Sequence, residues 1–323
     1  MESVLNWVVV GIGDIATKRV IPAILAEPRS RLWGVVSRDP AKAAPYTERV
    51  WTSLEEALRD PAVEAVYVAA PVFLHAPLAT AALRAGRHVL CEKPMAMNYP
   101  QALDMVATGQ QAGQVLGVAY YRRMYPKLHR ARALLAAGAI GRPVLAEINC
   151  HGWFTAQGGA RNWLLDPLQA GAGPLYDIAS HRVDVLNFLF GNPLAVAAQL
   201  SNAVHQTAVE DNATVLVEYP AGVRGIVDVR WHSRVSRDGF RIVGTQGEMD
   251  LSPLNGPALV YPGGAEELPC SANVHYPCVQ NFVAAVLDGA PLASSGESSL
   301  WADWVLDQAL RTRLSPAAGL PPS

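Results

Sequence analysis

The stretch NWVVVGIGDIATKRVIPAIL (residues 6–25) decides how the rest of the chain is read. A short apolar run ends at Gly11, and the spacing then becomes helical, with Ile15, Ile21, Ile24 and Leu25 able to share one face. At the junction stands Gly11-Ile12-Gly13-Asp14-Ile15-Ala16. Gly11 permits a tight turn, Gly13 lets backbone approach a pyrophosphate, and Ala16 lets the helix lie close to the strand. The free N–H groups of the helix start, around Asp14 and Ile15, then face an anion with the helix dipole behind them. GxGxxA alone also describes an ordinary turn. Its position after a first strand and before a helix favours a bound dinucleotide.

Outward from this turn the alternation continues. RLWGVVSRDP (31–40), AVEAVYVAAP (62–71) and GRHVLCEKP (86–94) are short apolar runs. Segments between them, notably LHAPLATAALRAG (74–86), have helical composition and a closing glycine. QALDMVATGQQAGQVLGVAYY (101–121) adds a helix and a strand. This rhythm predicts an α/β domain over residues 1–120, with a parallel sheet that binds ligands at the carboxyl ends of its strands. Beyond 120 the rhythm stops. AVAAQLS, ATVLVEYP, VRGIVDVRWHS, FRIVGTQG and GEMDLS read as strands joined by short turns, and helices near 276–288 and 297–314 close the chain. Residues 121–323 are therefore expected to form an α+β domain with an open, mostly antiparallel sheet, and a cleft between the domains. The tail SPAAGLPPS (315–323) reads as loose.

Composition narrows the function. Of 323 residues, half are hydrophobic, 17% are charged and the net charge is −2, which gives no general attraction to nucleic acid or acidic membranes. The first residues carry no basic leader and no run spans a membrane. Cys91, Cys150, Cys270 and Cys278 lack CxxC spacing and read as reduced thiols. The expectation is a cytoplasmic, soluble protein with no metal site. Arg123, Lys127 and Arg130 fall at helical spacing beside Tyr120, Tyr121 and Tyr125, which reads as a solvated helix face, with Arg122 and Arg123 as alternatives for lining a cleft.

The second strand ends in Ser37-Arg38, where an NAD site would place a carboxylate. A hydroxyl and a guanidinium suit the 2′-phosphate of NADP. Asp39 follows directly, and a shifted turn would bring it to the ribose, so NAD is the second choice.

Lys93 is one of only four lysines, placed where an apolar strand ends and a proline follows. In AGAGPLYDIASHRVDVLNFLFG (170–191), Asp177 and His181 are spaced i, i+4 on one helical face. A helix-dipole aspartate and a core histidine would explain that pair equally well. With Lys93 the balance changes. Hydride transfer to or from a carbinol also moves a proton, for which histidine is suited, and a lysine can bind the reacting oxygen. Asp177 would fix a substrate hydroxyl or orient the imidazole.

VVVGIGDIA, SLEEALRDPAVEAVYVAAP…LH, ALRAGRHVLCEKPMAMN, YYRRMYPKLHRARALLAAGAIGRP, AGAGPLYDIASHRVDVL and GFRIVGTQGEM together resemble the Gfo/Idh/MocA oxidoreductases, over nearly the whole chain. The resemblance implies an N-terminal Rossmann domain and a C-terminal open sheet that serves as a homo-oligomer interface, dimer or tetramer. It implies a cis Lys93–Pro94 peptide, Lys93 reaching nicotinamide and substrate, His181 transferring the proton and Asp177 as its partner. It also implies that Ala70, His75, Glu92, Trp163 and Tyr276 contact cofactor and that Tyr120, Arg123, Trp153 and Trp163 contact substrate. Ser37-Arg38 is similar to the NADP-dependent members, the 1,5-anhydrofructose reductase and dihydrodiol dehydrogenase groups. Val72, Ala119 and Leu164 depart from the family by replacing polar residues, which suggests a less polar pocket. The function expected is an NADP(H)-dependent oxidoreductase of a sugar, cyclic polyol or related carbonyl. The alternatives are the same chemistry with NAD, a non-catalytic sugar or dinucleotide sensor, and an NAD-using glycosidase.

Overall fold

The computed structural model describes residues 3–155 and 161–312, so the expectation for the tail lies outside the described residues. Six strands form the first sheet: β1 (Leu5–Val10), β2 (Ser30–Val36), β3 (Val50–Trp51), β4 (Ala65–Val68), β5 (His88–Cys91) and β6 (Leu116–Val118). Their order is β3-β2-β1-β4-β5-β6, every pairing parallel. Such a sheet is covered on both faces, which is why Val8, Val9, Val66, Tyr67, Val89 and Leu90 are all buried despite pointing to alternate sides. The strand order reverses between β1 and β4, and their carboxyl ends open side by side.

The helix after β1 is not regular. Wide π-type turns over Ala16–Val20 pass into α-helix at Ile21–Ala26. The same device recurs at Leu175–Ala179, which runs into the helix Ser180–Phe190. Single π turns of this kind commonly mark functional positions.

The second sheet has eight strands: β7 (Pro143–Trp153), β8 (Ala195–Ser201), β9 (Asn212–Glu218), β10 (Arg224–Arg230), β11 (His232–Gly244), β12 (Glu248–Asp250), β13 (Ala258–Tyr261) and β14 (Gly264–Glu267). It is antiparallel as expected except that β7 and β10 run parallel. The strand β7 at its centre is absent from the runs read as strands, although Ala146, Ile148 and Cys150 alternate with Glu147, Asn149 and His151. The closing helices, Tyr276–Asp288 and Gly296–Arg311, return to the first sheet. Phe282 packs on Trp7 with ring centroids 5.1 Å apart, and Asp303 accepts a hydrogen bond from Ala96 N–H at 3.1 Å.

The basic stretch corrects the expectation of a solvated face. Lys127 is fully buried and donates to the carbonyls of Leu251 and Pro253 at 2.8 and 2.6 Å, and burial pushes its amine down to about 8. Arg123 is 3% exposed. All four cysteines are free. No helix among the described residues is long and apolar enough to cross a membrane.

Candidate active site

Gly11 leaves β1 at φ +97°, and a Cβ there would lie 2.5 Å from the Ala69 carbonyl, so only glycine lets β1 and β4 approach this closely. A Cβ on Gly13 would meet nothing within 4 Å. Glycine at that position keeps a space free that no protein group fills, which fits a dinucleotide pyrophosphate. Ala16 is fully buried beneath the turn, and Asp14 is exposed and held by Lys18 Nζ at 2.8 Å. Ile15 faces a cleft that is also lined by Glu92, Lys93, Asp177 and His181. That cleft therefore joins the glycine turn to the residues with acid–base chemistry.

The chain reaches the cleft from β5. Glu92 follows it into the interior, accepting a hydrogen bond from Tyr67 Oη at 2.7 Å and facing His275 Nε2 at 3.2 Å. Burial would raise its carboxyl, but the His275 contact, the Tyr67 hydroxyl and Lys93 outweigh that and hold it below the ordinary value. Lys93–Pro94 is cis, as the resemblance implied. Lys93 Nζ donates to the Asp177 carbonyl at 2.7 Å and stands 3.6 Å from its carboxylate. Desolvation depresses the Lys93 ammonium below its ordinary value, against the raising effect of Asp177 and Glu92.

Asp177 lies in the π-type turns and His181 in the first turn of the helix after them. Both reach the cleft, but they do not pair. The Asp177 carboxylate meets Lys93 and Arg161, the latter at 3.0 Å, and His181 Nδ1 is buried without a hydrogen-bond partner among the described residues. His181 packs edge-on against Tyr120 and Tyr121. Burial, followed by the charges of Arg122, Lys93 and Arg182, holds its imidazole well below the ordinary histidine value. At neutral pH it is an uncharged base beside a lysine that can bind an oxygen.

Several expected contacts fall elsewhere. Arg123 is a structural anchor, not a cleft residue: its guanidinium binds Asp184 at 2.6 Å, Ser298 and the Ala293 carbonyl. Tyr120 is fully buried, and Tyr121 takes its place in the cleft. Trp153 lies outside the cleft, against His205 and under Arg234. His75 bridges two carbonyls, Pro94 and Ala70, each 2.8 Å from a ring nitrogen, and so braces the Lys93 loop from behind. Tyr276 packs against the first sheet's core, and its neighbour His275 lines the cleft. Trp163 lines a small recess that also includes Lys93 and Asp177, with Val72 and Leu164, so two of the three departures do make that wall apolar. Ala119 is buried in the core. At the end of β2, Ser37 is buried with its hydroxyl donating to the Asp39 carbonyl at 2.8 Å, whereas Arg38 is exposed with no partner among the described residues.

Arg122, one of the two arginines read as alternatives for lining a cleft, does line it, while Arg182, Cys150, Asn255 and His275 also line it and were not read as site residues. Arg182 adjoins His181, and Cys150 lies on the inward phase of β7, so both had a local signal. Asn255 and His275 come from loops and had none.

These features define a dinucleotide-dependent oxidoreductase with a two-domain cleft. Residues 5–120 match the model described as "Oxidoreductase family, NAD-binding Rossmann fold", and residues 128–250 match that of the GFO/IDH/MocA C-terminal domain. The chain is 31% identical over 310 residues to 1,5-anhydro-D-fructose reductase of Ensifer adhaerens, covering 92% of each. It is 30% identical to trans-1,2-dihydrobenzene-1,2-diol dehydrogenase of Mus musculus, over 82% of this chain and 80% of that one. Among solved structures, GenD2 from gentamicin A biosynthesis, in complex with NAD, superposes with a TM-score of 0.84 at 28% identity, covering 97% of this chain and 95% of that one. The protein belongs to the GFO/IDH/MocA family and is an oxidoreductase.

Proposed function

We propose that the protein is an NADP(H)-dependent oxidoreductase acting on a carbinol or carbonyl carbon of a sugar, a cyclic polyol or a related compound. The observation that carries this reading is Lys93 Nζ, held 2.7 Å from the Asp177 carbonyl in the cleft that begins at Ile15 and reaches His181. The names of the two sequence relatives point to the same substrate chemistry.

The bound nicotinamide dinucleotide supplies the hydride donor or acceptor. The N–H groups after Gly13 hold its pyrophosphate, and Arg38 pairs with the 2′-phosphate. Lys93 binds the substrate oxygen and stabilises negative charge on it as the C–H bond changes. His181 takes the hydroxyl proton during oxidation, or returns it during reduction. With Nδ1 shut in the core, Nε2 is the atom that serves. Asp177 holds Lys93 and offers its carboxylate to a neighbouring substrate hydroxyl. The protein works in the cytoplasm, and copies associate through the open face of the second sheet, where Leu216 and Val260 are exposed.

A second reading, NAD in place of NADP, has one observation in its favour. The Ser37 hydroxyl is committed to Asp39, and the Asp39 carboxylate stands exposed at the same strand end, 3.7 Å from Lys42. Fluorescence titration with NADPH and NADH in parallel decides between the two. Tighter NADPH binding that is lost in Arg38→Ala supports the first. Preference for NADH overturns the NADP assignment, and absence of both binding and retained cofactor overturns the enzyme mechanism.

A further inference from the structure

Charge around the cleft does not balance. Asp177 serves both Lys93 and Arg161, Asp238 serves Arg182 at 3.1 Å, and Glu92 faces His275. Arg122 has no carboxylate among the described residues. Its Nε and Nη2 donate to the neutral Asn255 Oδ1 at 3.1 and 2.9 Å, its guanidinium lies 4.8 Å from the centre of the Tyr121 ring, and its Nη1 is buried with no hydrogen-bond partner among the described residues. The residue is only 6% exposed and lines the cleft. Arg182, 3% exposed and lining the same cleft, likewise has a buried Nε without a hydrogen-bond partner among the described residues. A buried guanidinium without a counter-charge is expensive, and an anionic occupant would offset that cost.

The occupant is not the pyrophosphate. That group has the helix start after Gly13, whereas Arg122 and Arg182 are tied to Asn255 and Asp238 of the second domain. They also sit at the reacting end, because both line the cleft that holds Lys93 and His181.

We propose that the substrate is an acidic sugar or polyol whose carboxylate docks on Arg122, with Arg182 beside it. This inference rests on the oxidoreductase reading above and names its substrate class. The guanidinium fork matches a carboxylate with two parallel hydrogen bonds. Docking has a second consequence. An anion placed among Arg122, Arg182 and Lys93 cancels part of the field on His181 and lifts its pKa toward neutrality, where an acid–base group works best. The substrate would thereby tune the residue that handles its proton.

The test uses calorimetric titration of the full protein, first with NADPH and NADH, then with matched pairs in the presence of the cofactor that binds. The pairs are D-gluconate with D-glucitol and D-glucuronate with D-glucose. At least one acid is expected to bind about tenfold or more tighter than its neutral partner, as a charge-assisted pair supplies. Arg122→Gln should abolish that gap, and Arg122→Lys should keep part of it, which distinguishes lost recognition from lost folding. If no acid binds tighter than its partner, including the case where none binds, the proposal fails. A gap that Arg122→Gln leaves unchanged in a folded protein overturns it as well. Cofactor binding without acid preference refutes only the anionic substrate, whereas a protein that binds neither cofactor refutes the enzyme mechanism and this inference with it.

Discussion

Lys93 Nζ donates to the backbone carbonyl of Asp177 at 2.7 Å, and the carboxylate of that residue stands 3.6 Å away. One residue thus holds the lysine twice, once through a group that substitution cannot remove. Asp177→Asn keeps the carbonyl anchor and removes only the charge. That charge raises the Lys93 pKa against desolvation. The variant should therefore lose activity at a lower pH on the alkaline side than the wild type. Lys93→Met should cost about 10²- to 10³-fold in kcat, the usual loss for one oxyanion-stabilising donor, with NADPH affinity little changed. Steady-state rates across pH check both, and an unshifted alkaline limb in Asp177→Asn would show that the charge does not act on Lys93.

His181 should set the acid limb. Its imidazole is held well below the ordinary 6.5 by burial and then by Arg122. For alcohol oxidation the uncharged ring is the active form, so kcat/KM should stay level through neutrality and fall only below that ordinary value. Removing the Arg122 charge, which lowers the His181 pKa, in Arg122→Gln should move the fall to higher pH. An acid limb at or above the ordinary histidine value in the wild type would mean that the group titrating is not this one.

The parallel sheet, the glycine turn and Lys93 were legible in the sequence because each depends on neighbours a few residues away. A run as apolar as Val89-Leu90-Cys91 can only be buried, and whatever ends it is at the sheet's carboxyl edge. Asp177 and His181 were legible as a spacing, but the π-type turn between them and the ring of cations were not, so their pairing did not follow. Tyr120 and Arg123 were one residue out. Adjacent side chains leave the backbone in different directions, and a single step decides whether core or cleft receives them, as Tyr121 and Arg122 show. Asn255 reaches Arg122 across 133 residues of chain, a contact no local pattern encodes.

Arg38 offers a direct measure of cofactor choice. It is exposed and has no partner among the described residues to give up, so a 2′-phosphate would meet it without competition. Arg38→Ala should weaken NADPH by roughly 10- to 100-fold, the worth of one charge-assisted contact, and leave NADH within about threefold. Equal losses for both cofactors would place Arg38 on the adenine face and not on the phosphate.

Asp303 couples pH to the loop that carries Lys93. Its Oδ1 accepts the Ala96 N–H at 3.1 Å, and its Oδ2 is buried without a partner. Burial pushes the carboxyl from 3.8 up to about 8. A carboxyl raised in the folded state gives its full stability below the unfolded value and loses it as pH rises through the folded one. The wild type should therefore lose thermal stability between about pH 4 and pH 8 through this group. Asp303→Asn keeps the acceptor for Ala96 and cannot ionise, so its melting temperature should draw ahead of the wild type's as pH rises across that window. At the acid end, where both side chains are neutral, the two should melt together. A difference that is constant with pH would show that Asp303 is already ionised in the folded protein.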